Sequence, residues 1–378
     1  MKILIFTHNY PINSQERRNA GTFVYDFSME LAKTNSVTVV CPGSFEKRVR
    51  FGAVDVYFFS WRGGKHLGKL KLWNPIDLFY GLSLFFRGIV VLSLVVKEIR
   101  PDFSLALWAI PGGIFAYFTK LKFRIPYAVW VLGSDFYIYS KIPVVGFLIR
   151  RVLKRAEFVA ADGVDLSGQV SRTIGRKCIF LPSCTKIDNP DSNQRKNNNG
   201  NTIVLTFIGR MEYIKGPDVL LQALSRLKNS NLDLEVHYIG GGSLLPRLKS
   251  TVVEGNVARI TFHGNVSDEE KSRILQKTDW LVIPSRSDSI PLAFSEAMKL
   301  GVPVISSALP DLKYLINKYK VGLLFKPECY QELAGLIEKL PQEKNKWESF
   351  YKNTKKAADI FRLDRSVTEL TKSINNVG

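Results

Sequence analysis

The sequence predicts an α/β protein built from two doubly wound, Rossmann-like domains. Short apolar runs alternate with longer helical patterns along nearly the whole chain, the signature of βαβ units around a parallel sheet. The alternation breaks once, at a polar stretch rich in Asn, and then resumes. The length, 378 residues, suits two domains of roughly 100–200 residues each.

In the first half, apolar runs predict strands near Lys2–Thr7, Val37–Val40, Val54–Phe59, Phe103–Trp108, Ile125–Leu132, Phe158–Ala161 and Lys177–Leu181. Helical patterns lie between them, near Gly21–Lys33, Asp77–Ile99, Gly113–Lys122, Pro143–Arg155 and Leu166–Ile174. The break, Ser183–Asn201, reads SCTKIDNPDSNQRKNNNGN and has no periodicity, as expected of a linker. Strands resume near Thr202–Ile208, Leu234–Ile239, Arg259–His263, Trp280–Ile283, Pro303–Ser306 and Gly322–Phe325. Helices are expected near Pro217–Lys228, Pro246–Val253, Asp268–Gln276, Pro291–Leu300, Asp311–Asn317 and Tyr330–Leu340, with an amphipathic helical stretch over Glu348–Asn376. The expected division is residues 1–183, a linker at 184–201, a second domain at 202–345, and terminal helices at 346–378 packing back on the first domain. Two such domains would face each other across a cleft, with ligands at the carboxyl ends of the strands.

Charge narrows the partners. There are 53 Lys and Arg against 34 Asp and Glu, a formal net charge of +19. Such a surface attracts nucleic acid, anionic lipid or phosphorylated small molecules. The chain carries no recognisable nucleic-acid motif, so no nucleic-acid partner is expected. Cys41, Cys178, Cys184 and Cys329 form no C-x-x-C pair, the His residues are scattered, and no Asp-x-Asp occurs. No metal site is expected. The opening MKILIFTHNY reads as a strand, not a cleavable leader; with free thiols it points to the cytosol. The run Leu78–Val96 approaches the roughly 20 residues of a spanning helix. Arg87 at its middle would cost about 2.5–3.5 kcal/mol on insertion. A helix packed on a sheet is expected, with a helix lying on a membrane surface as an alternative.

Two segments carry chemistry. Phe207–Leu224, FIGRMEYIKGPDVLLQAL, runs from a strand through Gly209-Arg210 and Lys215-Gly216 into a helix. Gly209 lets the backbone approach a ligand. The Arg210 fork fits a diphosphate, and Lys215 adds a compact second charge. Ser285–Ile305, SRSDSIPLAFSEAMKLGVPVI, places Asp288 in a loop and Glu296 two turns into a helix expected to begin at Pro291. The loop amides and helix start suit an anion, and the carboxylates suit sugar or ribose hydroxyls.

These motifs resemble the retaining glycosyltransferases of family 4, which have the GT-B fold. The matching positions are Gly209, Arg210, Lys215 and Gly216, then Glu296, Ala297, Met298, Gly301, Pro303 and Val304. The resemblance implies an acceptor-binding first domain and a nucleotide-sugar-binding second domain, needing no cofactor. Catalysis would rest on Arg210 and Lys215 at the diphosphate, Glu296 at the ribose and Asp288 at the donor sugar. Ser289, Ile290 and Leu292 would complete the donor loop, with Ser289 standing where the family has Gly. Gly240 and Gly241 resemble the turn near the nucleotide, His263 the residue facing the base, and Gly21 part of a Gly-Gly pair near the diphosphate. Gly133, Ser134 and Asp135 resemble the acceptor side, but Leu132 stands where the family has His. The implied reaction moves a hexose to a glycan or lipid-linked acceptor with retention, the leaving diphosphate acting as base. Arg150-Arg151 and Lys154-Arg155 would suit an anionic membrane surface. Rival expectations are a nucleotide-sugar epimerase, a nucleic-acid-binding protein and a non-catalytic sugar-nucleotide-binding subunit.

Overall fold

The computed structural model describes residues 1–12, 21–63, 74–187, 202–227, 230–252 and 258–377. Most of the expected linker, from 188 to 201, lies outside the described residues. The chain divides into two compact units, Met1–Ser183 with Leu363–Gly378, and Cys184–Arg362.

The first unit runs β1 (Lys2–Phe6), α1 (Thr22–Leu31), β2 (Ser36–Gly43), β3 (Lys47–Phe51), β4 (Val54–Ser60), α2 (Pro75–Ile99), β5 (Phe103–Leu107), α3 (Gly112–Phe123), β6 (Tyr127–Val131), α4 (Ser134–Tyr137), α5 (Pro143–Arg155), β7 (Val159–Ala161), α6 (Val164–Ile174) and β8 (Ile179–Phe180). Its sheet has the order β3-β4-β2-β1-β5-β6-β7-β8. All neighbours are parallel except β3 and β4. The central strands are buried on both faces, as the continuous apolar runs ILIF and YAVWV require. Strand β3, KRVRF, was not among the expected elements. It is an antiparallel edge strand whose Arg and Lys side chains stay in water, so it lacks a continuous apolar run.

The second unit runs β9 (Thr202–Ile208), α7 (Pro217–Arg226), β10 (Asp233–Ile239), α8 (Leu245–Thr251), β11 (Ala258–Gly264), α9 (Asp268–Lys277), β12 (Trp280–Ile283), α10 (Leu292–Leu300), β13 (Val304–Ser307), α11 (Pro310–Tyr319), β14 (Gly322–Phe325), α12 (Tyr330–Lys339) and α13 (Lys344–Ala358). Its sheet is wholly parallel, in the order β11-β10-β9-β12-β13-β14. Its core includes Leu205, Phe207, Tyr238, Val282 and Leu333.

The terminal stretch departs from expectation. A 3-10 turn at Asp359–Phe361 splits it, and only α14 (Leu363–Asn375) belongs to the first unit. Helix α13 stays with the second, where Phe350 meets Trp280 and the Trp347 indole donates to Asp279 O at 2.9 Å. Buried Val367, Leu370 and Ile374 of α14 form its inward stripe.

Candidate functional site

In the second sheet the winding reverses between β9 and β12, since β10 and β11 extend one way from β9 and β13 and β14 the other way from β12. In such sheets ligands bind at the carboxyl ends of the strands beside the reversal, and the loops leaving β9 and β12 lie there. Both motif segments supply these loops.

Gly209, Gly240 and Gly264 lie at the carboxyl ends of three adjacent strands, which are hydrogen-bonded there. The Gly209 N–H donates to Ile239 O at 3.0 Å, and the Gly240 N–H to Gly264 O at 2.7 Å. Gly241 O receives the Met211 N–H at 2.7 Å. Gly240 has φ +125, and a Cβ there would lie 2.1 Å from Gly209 O. The turn therefore has no room for a side chain. Glu212 holds its far side, accepting from the Ser243 amide at 2.9 Å and its hydroxyl at 2.6 Å.

Lys215 and Asp288 meet directly as an ion pair, each side chain about one-fifth exposed. Arg286, a residue that sequence reasoning passed over, positions them. Its amide donates to Ile214 O at 2.9 Å and its Nη1 to Tyr213 O at 2.7 Å, stitching one loop to the other. Its fork grips both Asp218 oxygens at 2.7–2.8 Å while Nε reaches Glu328 at 2.7 Å. The bond to Asp218 is the main influence raising the Arg286 pKa above its ordinary value, and burial opposes it. Burial alone would raise the Asp218 pKa; Arg286 and backbone amides together outweigh it and lower it. Arg210, by contrast, is exposed and forms no ion pair among the described residues. One paired and one open cation thus stand on the loop leaving β9.

Glu296 is buried on α10, and its Oε1 accepts from Lys271 Nζ at 2.7 Å and Thr185 Oγ1 at 3.1 Å. Lys271 also reaches Asp268 at 3.1 Å. Burial alone would lower the Lys271 pKa; Glu296 and Asp268 outweigh it and raise it. The carboxylate is thereby held in one orientation. Lys271 was not expected at the site, because its link to Glu296 is made only by folding.

Other expected contacts are redirected. Helix α10 begins at Leu292, half-buried, because Pro291 is extended at φ −61, ψ 141. No side chain caps its start. Ser289 is buried and its hydroxyl donates to Asp311 at 3.3 Å, and Ile290 lies in the core. Neither side chain is displayed to a ligand. His263 is paired with His237 at 3.0 Å, on neighbouring strands. Burial lowers the His237 pKa, while Glu235 beside it, at 3.1 Å, pulls the other way.

In the first sheet the reversal falls between β1 and β5. Gly21, at φ +73, caps α1 there; a Cβ would stand 2.9 Å from Asn9 O. Gly133, at φ +106, precedes α4, and Ser134 is exposed at its start. Asp135 corrects the acceptor-side expectation. It is buried, and accepts from the amides of Ala109 at 2.6 Å and Leu132 at 3.2 Å. It braces the ends of β5 and β6 internally. Burial raises its pKa to about 6 against the backbone hydrogen bonds that lower it. His8, beyond β1, is an imidazole that the sequence reading did not single out. Its ring packs 4.2 Å from Trp108, its Nδ1 is buried without a hydrogen-bond partner among the described residues, and burial lowers its pKa to about 4.

Residues 188–357 match the family model described as glycosyl transferases group 1. The match falls within the second unit, and the two-domain fold is one that solved glycosyltransferases share. Among relatives, TuaC of Bacillus subtilis (strain 168), a glycosyltransferase assigned provisionally to teichuronic acid biosynthesis, is 25% identical over 91% of this chain and 90% of its own. D-inositol 3-phosphate glycosyltransferase of Rhodococcus erythropolis is 31% identical over 36% of this chain and 33% of its own. Among solved structures, Anabaena HepE in complex with UDP-glucose superposes with a TM-score of 0.72 at 16% identity, covering 100% of both chains.

Proposed function

We propose that the protein transfers a hexose from a nucleoside-diphosphate sugar to an acceptor hydroxyl, with retention and without a metal ion. The observation that carries this is the pair of loops at the β9/β12 reversal, which sets Arg210 open and Lys215 half-buried against Asp288. A diphosphate placed there takes Arg210 as a planar fork and Lys215 as a point charge. One such charge contact at about 4 Å is worth about 4 kcal/mol at an effective dielectric of 20. The two cations stabilise the negative charge that grows on the leaving diphosphate, the main form of help such a transfer needs. In this reading the acceptor hydroxyl attacks from the face the diphosphate leaves, and the diphosphate takes its proton. Asp288 faces the sugar, and Glu296, fixed by Lys271, meets the ribose. The UDP-glucose complex of HepE supports a nucleotide-sugar donor. The name of TuaC supports a place in polysaccharide synthesis; a lipid-linked acceptor and a reaction at the cytoplasmic face belong to the proposal alone.

Lys215→Ala removes one diphosphate contact and leaves Asp288 unpaired, so donor turnover is expected to fall by the equivalent of about 2–5 kcal/mol. Release of nucleoside diphosphate from a panel of nucleotide sugars measures this. Near-wild-type turnover in the variant would overturn the assignment. A non-catalytic sugar-nucleotide-binding role is the second reading, favoured by Leu132 in place of an imidazole and by the inward Asp135. Donor binding with no turnover on any acceptor would select it.

A further inference from the structure

Helix α2 has two unlike faces. One covers the first sheet: Leu84, Gly88, Leu92, Val95 and Val96 are buried. The approach is close, since a Cβ on Gly88 would lie 2.4 Å from the Phe115 ring. The other face is apolar yet uncovered. Phe79, Leu82, Phe86, Val90 and Leu94 recur at helical spacing, with Phe86 73% and Leu94 64% exposed. Only 28% of the most apolar window of this helix is buried.

A second exposed apolar surface lies on another helix of the same unit. Helix α2 packs on α3, and α3 on α5. Helix α5 begins with Val144, 72% exposed, and Phe147, 57% exposed. Its exposed face then turns basic, with Arg150, Arg151, Lys154 and Arg155 all in water. Three-quarters of the exposed large apolar side chains among the described residues lie between Ile76 and Leu148. From Gly112 to Arg155 the chain has eight Lys or Arg and a single acidic residue, Asp135, which is buried.

A surface both apolar and strongly cationic is complementary to an anionic bilayer, whose headgroup region offers hydrocarbon just beneath phosphate. Contiguous apolar patches of this kind are rare on surfaces meant only for water. The packing argues against spanning. Helix α2 would have to uncover its inner stripe and bring Arg87, paired with Glu46, into hydrocarbon. Glu98 further ties its end to Arg48, at 2.9 Å, and to Tyr57, at 3.0 Å. The helix is held flat along the unit.

We propose that the face formed by α2 and α5 seats the first unit on an anionic membrane surface. The α2 stripe and Phe147 enter the headgroup layer, and Arg150, Arg151, Lys154 and Arg155 meet lipid phosphate. The seat is independent of the donor site, because it requires no nucleotide.

Flotation of the full chain with vesicles of two parts phosphatidylcholine to one part phosphatidylglycerol tests the proposal. The wild type is expected to float with these vesicles and to stay in the soluble fraction with phosphatidylcholine alone. The double variant Phe86→Asp/Phe147→Asp changes only exposed positions and is expected to bind at least about tenfold more weakly. Arg150→Gln/Arg151→Gln is expected to weaken binding about fivefold per cation removed. Thermal shift with nucleoside diphosphates serves as the control for folding and for the donor site, and should be the same in all three proteins. Wild type that stays soluble with anionic vesicles overturns the proposal, as does a Phe86→Asp/Phe147→Asp protein that floats undiminished. Wild type that forms dimers in solution, loses them in that variant and ignores vesicles would put a second copy of the chain on this face instead.

Discussion

His8 and Asp135 occupy the strand ends of the first unit and titrate in opposite senses. Burial depresses the imidazole from its ordinary 6.5 to about 4, so the fold resists its protonation. Its contribution to stability is complete above pH 6.5 and is lost as pH falls toward 4. Burial lifts the Asp135 carboxyl from 3.8 to about 6, so the fold favours its protonated form. That contribution is complete at low pH and is lost as pH rises through 6. Each shift amounts to about 3 kcal/mol over its full range and about 2 kcal/mol between pH 6.5 and 4.5. In the wild type the two effects largely cancel in that window. Relative to wild type, His8→Gln should therefore gain about 2 kcal/mol of stability as pH falls across it, and Asp135→Asn should lose a similar amount. Urea midpoints at several pH values measure both trends. Three parallel profiles would show that neither group titrates as its burial requires.

The loops that hold the site are built at the scale of whole elements. Gly216, at φ +65, joins the loop leaving β9 to α7, and a Cβ there would stand 2.1 Å from Pro284 O in the loop leaving β12. Gly264 has a similar φ, +67, but open space around it. The left-handed backbone alone costs an alanine about 1 kcal/mol, which is the loss expected of Gly264→Ala. Gly216→Ala adds a collision between two rigid backbones and should lose about 3 kcal/mol. It should also weaken nucleoside diphosphate binding, because the loops carrying Lys215 and Asp288 must part. Equal losses in the two variants, read from urea unfolding, would mean that the loops yield freely.

The same contrast marks what the sequence makes legible. Gly209–Gly216 and the 284–291 loop stand out because each is one contiguous stretch whose residue types serve one purpose. Arg286 does not stand out, because its meaning lies in Asp218, 68 positions away, nor does Lys271, whose partner Glu296 is 25 positions away. Edge strand β3 hides its alternation among charges that an edge tolerates. The split between α13 and α14 is set by Phe361, fully buried against Phe294, a contact that helical periodicity does not encode.

At the scale of the whole molecule, each unit has its own core, and the chain crosses between them twice. Proteins of this kind unfold in more than one step. Helix α14 reaches the first unit from the far end of the chain, with Ser366 donating to Pro182 O at 3.4 Å and Leu370 buried. Leu370→Ala should therefore destabilise the first unit by about 2–5 kcal/mol, the usual cost of such a truncation in a core. A nucleoside diphosphate held at the β9/β12 reversal acts on the other unit. At about one hundred times its Kd it should add about 2.7 kcal/mol there. Scanning calorimetry with UDP, GDP and ADP is expected to show two transitions, one lowered by Leu370→Ala and the other raised by the fitting nucleotide. The pairing is the decisive feature. A nucleotide that raises the transition which Leu370→Ala lowers, and leaves the other in place, would put the diphosphate on the first unit and remove Arg210 and Lys215 from its binding.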